Sequence, residues 1–97
     1  MKSGYKINWS QHAINELDAI IEFLNIYWTE KELNRFSNEL EKTLDIISAN
    51  PFIFQESQSQ KEVRRAVILS LNSLYYRIKN GSIEIISIYA NRKKPKY

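Results

Sequence analysis

A change of hydrophobic period midway along this chain restricts its fold more than any single motif does. From Ala13 to Asn50 the apolar residues recur every three or four positions; from Val63 onward they recur every second position. A helical part is therefore followed by a sheet part. In the first, Ala13, Leu17, Ile20, Ile21, Leu24, Tyr27 and Trp28 form one amphipathic stripe, and Leu33, Phe36, Leu40, Leu44 and Ile47 form another. In the second, VRRAVIL (63–69), SLYYRIK (73–79) and IEIISIYA (83–90) read as three successive strands.

Local signals place the boundaries. YKINW (5–9) alternates, with Tyr5, Ile7 and Trp9 on one side, and predicts a short strand ahead of the helices. Ser10 has the chemistry of an N-cap. Thr29-Glu30-Lys31-Glu32 is a capping box, so one helix stops near Trp28 and the next begins there. Asn50-Pro51 ends the second helix, because a residue before proline avoids the helical region. Residues 52–62 read as a polar loop around QESQSQ. Asn80-Gly81 favours a type I′ turn and joins the last two strands as an antiparallel hairpin. The expectation is an α+β fold in one domain over residues 1–97: a strand, a helical hairpin, then a three-stranded antiparallel meander. The helices cover one sheet face and leave the other for something else.

Alternation assigns the faces. Leu74, Tyr76 and Ile78 belong to the core, which turns Tyr75, Arg77 and Lys79 toward the uncovered face. One of Arg64 and Arg65 joins Arg77 there. Val63, Arg65, Val67 and Leu69 compete with Ala66 and Ile68 for the core, and the pattern leaves that choice open.

Charge is distributed unevenly. Residues 61–97 hold nine Lys or Arg against two acids, and residues 1–60 hold five against nine. A basic half folded onto one surface attracts phosphate or an acidic partner segment. The cations end in a cluster, NRKKPKY, with Arg92, Lys93, Lys94 and Lys96 around a proline and Tyr97 last. The chain has no cysteine, which removes disulfides, thiolate metal sites and Cys nucleophiles. One histidine, His12, excludes His-based metal clusters and His-centred triads, and two glycines exclude a Gly-rich phosphate loop. No cofactor or metal is expected. No stretch approaches the roughly 18 apolar residues of a membrane span, and the chain reads as a cytoplasmic protein.

Lys, Arg and Tyr without metal ligands are compatible with metal-free RNA cleavage. That reaction needs a base, an acid for the leaving oxygen and cations for the phosphorane charge. Arginine's fork matches phosphate, and a lysine crowded by cations can act as a base near neutrality. The same residues would equally hold an acidic protein segment or a nucleic-acid backbone.

The ordered set INWSQHAINELDAIIEFL, ANP, VRRAVI, LYYRI and IEIISIYANRKKP resembles the RelE/ParE superfamily of bacterial toxins from type II toxin–antitoxin systems, over nearly the whole chain. The resemblance implies a growth-inhibiting, plasmid-stabilising type of protein neutralised by a cognate antitoxin in a hetero-oligomer. ParE-like members poison DNA gyrase; RelE-like members cut mRNA on the ribosome with Lys, Arg and a C-terminal Tyr. Arg92 and Tyr97 match the basic residue and tyrosine after the last strand, and Arg64 and Arg65 lie near the basic pair of the second strand. The arginine that opens the third strand in RelE-like enzymes falls near Ser73 or Leu74, with Arg77 further along. The helical hairpin, the YYRI segment and the RKKP tail resemble the ParE side. In the RelE-like alternative, Arg64 or Arg65 and Arg77 clamp phosphate, Arg92 stabilises the phosphorane, Lys93 or Lys94 is the base, and Tyr97 stacks or moves a proton. On either mechanism Arg64, Arg65, Tyr75, Arg77 and Lys96 are the expected binding residues. A third reading is a non-toxic basic binding module.

Overall fold

Two hydroxyl caps divide the first half of the chain. The Ser10 side chain accepts from the Ala13 amide at 3.0 Å and starts α1 (Gln11–Tyr27). Thr29 and Glu32 close a reciprocal capping box at the start of α2 (Glu30–Ala49). The carboxylate of Glu32 is held below its usual range, chiefly by the Thr29 hydroxyl. Both helices lie where the sequence puts them. The computed structural model describes residues 4–58 and 60–91.

Four strands form one sheet in the order β1-β4-β3-β2: β1 (Lys6–Trp9), β2 (Arg64–Ile68), β3 (Asn72–Lys79) and β4 (Ser82–Ala90). The last three are the expected antiparallel meander, with Arg64 opposite Tyr76 and Ile78 opposite Ile83. Asn80 (φ 53) and Gly81 (φ 77) both take the left-handed conformation that a type I′ turn needs. Beyond the expectation, β1 joins the meander at its far side, parallel to β4, with Ile7 beside Ile83 and Trp9 beside Ile85. The parallel pairing is possible because two helices intervene between the strands.

The core lies between the helices and one sheet face. Ala13, Leu24, Phe36, Leu40 and Ile47 pack against Ala66, Ile68, Leu74, Tyr76, Ile83, Ile85 and Ile88. Competition for the β2 core positions is thus decided for Ala66 and Ile68. The α2 stripe is as expected, but the α1 stripe needs one correction. Tyr27 and Trp28, expected at the buried end of it, are 70% and 40% exposed, and Phe23 packs on the core instead. Tyr27 stacks obliquely on Phe23 with ring centroids 4.8 Å apart, so its contact is within the helix rather than with the sheet. The 52–62 segment is less of a free loop than its composition suggests. Glu56 bridges Arg64, and the Arg65 amide donates to the Gln55 carbonyl, so residues 55–57 run along the outer edge of β2. None of the helices described is long and apolar enough to cross a membrane.

Candidate functional site: the helix-free face of the sheet

β3 carries the residues of this face at every second position. Ser73, Tyr75 and Arg77 alternate with the core residues Leu74, Tyr76 and Ile78. From β2, Arg65 lies opposite Tyr75 and Val67 opposite Ser73. From β4, Glu84 lies opposite Arg77, Ser87 opposite Tyr75 and Tyr89 opposite Ser73. The pairing slips between Tyr75 and Tyr76, where Ile86 is the extra residue of a bulge. That slip keeps Ile85 and Ile88 both on the core side although they are three positions apart.

Tyr75 is on the predicted face but is not an exposed platform. It has no exposed surface, because Val63, Ile86 and Tyr89 pack around it in a second small cluster. Its ring stacks on Tyr89 at 5.6 Å and 10° between planes, and the two hydroxyls meet at 3.2 Å. Burial pushes the Tyr75 hydroxyl up to about 12, helped by the Tyr89 hydroxyl and opposed by the charge of Arg65. A group so buried and so weakly acidic is an element of the platform beneath the site rather than a contact on it.

The three strand arginines separate into three environments. Arg64 is turned to the sheet edge: its guanidinium donates to the Phe54 carbonyl at 2.6 Å, lies 3.8 Å from Glu56 and sits over the Phe52 ring at 5.2 Å. It ties the 52–56 segment to β2, so its place as an expected binding residue is taken by a structural one. Arg77 is ion-paired with Glu84 at 2.7 Å. Arg65 answers the ambiguity of the sequence, since it is the member of the pair that shares a face with Arg77. Its Nε donates to the Ser73 hydroxyl at 2.9 Å, and Ser73 in turn donates to the Asn91 carboxamide. Ser73 is fully buried, which fixes the guanidinium plane while the residue as a whole remains exposed. Arg92, Lys93, Lys94, Lys96 and Tyr97 lie outside the described residues, so their convergence with Arg65 and Arg77 stands as an expectation.

Sequence reasoning missed Ser73, Glu84, Tyr89 and Asn91. Glu84 was legible in principle, because a hairpin register counted back from Asn80-Gly81 puts it across from Arg77. A second missed feature is an apolar groove of about 640 Å³ between α1 and the end of β4, lined among others by Ile20, Phe23, Trp28, Leu71 and Ala90. Among the described residues, no group of three or more His, Cys, Asp or Glu side chains is arranged to hold a metal ion.

Comparison with known proteins follows the same lines as the geometry. The model of a family described as the ParE toxin of the type II toxin–antitoxin system, parDE, matches residues 7–95. No curated protein matches by sequence. Among solved structures, a chain of the chromosomal ParDE toxin–antitoxin system from P. aeruginosa superposes with a TM-score of 0.74 at 16% identity, over 89% of this chain and 95% of that one. A chain of the E. coli DinJ-YafQ toxin–antitoxin complex gives 0.66 at 12% identity, over 93% and 96%. A conserved hypothetical protein from Helicobacter pylori gives 0.60 at 18%, over 92% and 97%. At such identities the structural likeness is one of fold.

Proposed function

The chain belongs to the ParE toxin family of type II toxin–antitoxin systems, and from that premise we propose that it arrests bacterial growth by binding DNA gyrase and is neutralised by a small cognate antitoxin. The observation that supports binding over cleavage is the condition of the strand residues. Arg77 is neutralised by Glu84, Arg64 is committed to the 52–56 segment, and Tyr75 is buried. Phosphoryl transfer needs cations aimed at the developing charge and a group able to move a proton. Of the three strand arginines, Arg65 alone is presented for an incoming anion. A mixed apolar and cationic face, with Val67 exposed beside Arg65, is better matched to a protein surface.

Induced expression in bacteria tests this reading. Growth arrest relieved by the small protein encoded beside it, with DNA breaks, SOS induction and intact mRNA, is the expected result. Transcripts cut on ribosomes would overturn the gyrase assignment in favour of the metal-independent RelE-like endoribonuclease, and indifference to expression would favour the non-toxic binding module.

A further inference from the structure

The two layers of the fold carry opposite charge. α1 and α2 hold eight acids against three Lys or Arg, whereas the four strands hold five Lys or Arg against one acid, Glu84. A molecule polarised in this way turns its sheet toward a polyanion and its helices away. Two of the five strand cations are already paired, Arg64 at 3.8 Å from Glu56 and Arg77 at 2.7 Å from Glu84. Lys6, Lys79 and Arg65 have no carboxylate partner among the described residues.

Register places the two lysines in one row. Ser82 of β4 pairs with Lys6 of β1 on one side and with Lys79 of β3 on the other. Ile7, Ile78 and Ile83 pack in the core, so alternation turns Lys6, Ser82 and Lys79 toward the helix-free face. Both lysines are exposed, and they stand two strand spacings apart, about 10 Å at the backbone. The backbone of the row is fixed at both ends. The Asn80-Gly81 turn sets Lys79 against Ser82, and the Tyr5 amide donates to the Ser48 carbonyl at 2.9 Å just before Lys6. In the next row Asn8, Glu84 and Arg77 lie side by side, and the two charges cancel. Arg65 stands beyond that pair on β2, opposite Tyr75, about 14 Å from Lys79 at the backbone.

Cations spread this widely do not converge on one carboxylate or one free phosphate. A DNA duplex can meet all three, because it presents a phosphate for roughly every 1.7 Å of its axis. Ser82 and Asn8 add side-chain donors of the kind that contact phosphate. An unpaired strand fits less well, since it needs open rings on which its bases stack. The tyrosines of this face, Tyr75 and Tyr89, are stacked on each other and buried. A protein partner fits the lysine row poorly too, because lysine is depleted in protein interfaces. Among the described strand residues the exposed large apolar one is Val67, at the far end beside Arg65. We infer that the lysine end of the helix-free face lies against the backbone of a DNA duplex, with Lys6, Lys79 and Arg65 each pairing with a phosphate. Val67 and the β2 side remain for the protein target. Contacts of this kind hold a duplex without reading its sequence. The inference rests on the gyrase reading in that the duplex is the one gyrase holds; the row itself rests on register and charge.

The test follows the fluorescence anisotropy of a labelled, random-sequence DNA duplex titrated with the full-length protein at several KCl concentrations. Dissociation constants of about 10⁻⁴–10⁻⁶ M, weakening linearly on a log–log plot as salt rises, are expected. Lys6→Gln and Lys79→Gln should each weaken binding about threefold or more and lower the salt slope by about one. Glu84→Gln, which leaves Arg77 unpaired, should tighten binding and raise the slope, an opposite change that no loss of fold would produce. Lys42→Gln, on the exposed side of α2, should change neither. Failure of the duplex to bind, a slope that neither lysine variant alters, or tighter binding of single-stranded RNA or of poly-glutamate would overturn the inference. Growth assays separate it from the reading beneath it. If the Lys6→Gln/Lys79→Gln protein binds the duplex unchanged and still arrests growth with DNA breaks and SOS induction, the row is wrong and the gyrase reading stands. If duplex binding follows the expected pattern while arrest comes with cut transcripts or not at all, the reverse holds.

Discussion

Arg77 Nε lies 2.7 Å from Glu84 Oε1 across the β3–β4 hairpin, on the sheet face that the helices leave bare. The two residues are direct cross-strand partners, so the pair follows from the register that the Asn80-Gly81 turn imposes. It takes one positive charge out of a surface that the sequence marks as strongly basic.

Removing that carboxylate should change binding more than stability. Both side chains are about 40% exposed, and exposed pairs contribute roughly 0–1 kcal/mol. Glu84→Gln is therefore expected to shift the Tm by only a few degrees while moving elution from a heparin column to higher salt. An unchanged elution position would show that Arg77 is not accessible to an anion even when freed.

Neighbouring arginines should behave oppositely. Arg64→Lys loses the planar fork that serves the Phe54 carbonyl, Glu56 and the Phe52 ring, and should destabilise by about 1–2 kcal/mol in urea denaturation. Arg65→Lys loses one bond to Ser73 at an exposed position and should cost no more than about 0.5 kcal/mol, while weakening growth arrest. The reverse ranking in stability would contradict the assignment of the pair.

The alkaline limb of stability should be steep. Tyr75 and Tyr76 are both fully buried, and burial pushes each hydroxyl up to about 12. An unfolded tyrosine titrates near 10, so between pH 10 and 12 the folded state holds protons that the unfolded state has released. Stability is thus complete below about pH 10 and falls as pH rises through 12, by roughly 2 kcal/mol per tyrosine at the upper end. Tyr75→Phe should remove its share of that slope, measured by urea denaturation from pH 8 to 11.5 alongside phenolate absorbance.

At neutral pH the same substitution at the adjacent residue has another cost. The Tyr76 hydroxyl donates to the Pro51 carbonyl at 2.7 Å in a buried site. Tyr76→Phe leaves that carbonyl unsatisfied and should destabilise by about 1–3 kcal/mol, visible as a lower denaturation midpoint with an unchanged m-value.

Relief of the strained β2–β3 turn should be measurable. Ser70 is exposed with φ 60, and Ser70→Gly exchanges roughly 1–2 kcal/mol of left-handed strain for the added freedom of an unfolded glycine. The expected net effect is a gain of up to about 1 kcal/mol, read as a higher Tm. A loss would mean that the Ser70 side chain has a structural role of its own.

The amino-acid sequence alone determined what depends on neighbours within a turn or two. The order of elements, both helix caps, the stop at Asn50-Pro51 and the left-handed pair at Asn80-Gly81 follow from local dihedral preference and from the change of hydrophobic period. The face of each β3 residue follows as well, because alternation leaves only two choices. Tertiary structure decided what depends on residues far apart in the chain. Docking of β1 on β4 joins segments more than seventy residues apart, and no local signal specifies it. The burial of Tyr75 requires Val63, Ile86 and Tyr89 to meet around it, and the bulge at Ile86 turns part of β4 against a simple alternation. The separation of Arg64 from Arg65 likewise awaited the packing of residues 52–57 on the edge of β2. Periodicity states that a side chain points to a face; only long-range packing states whether that face is open, occupied or neutralised.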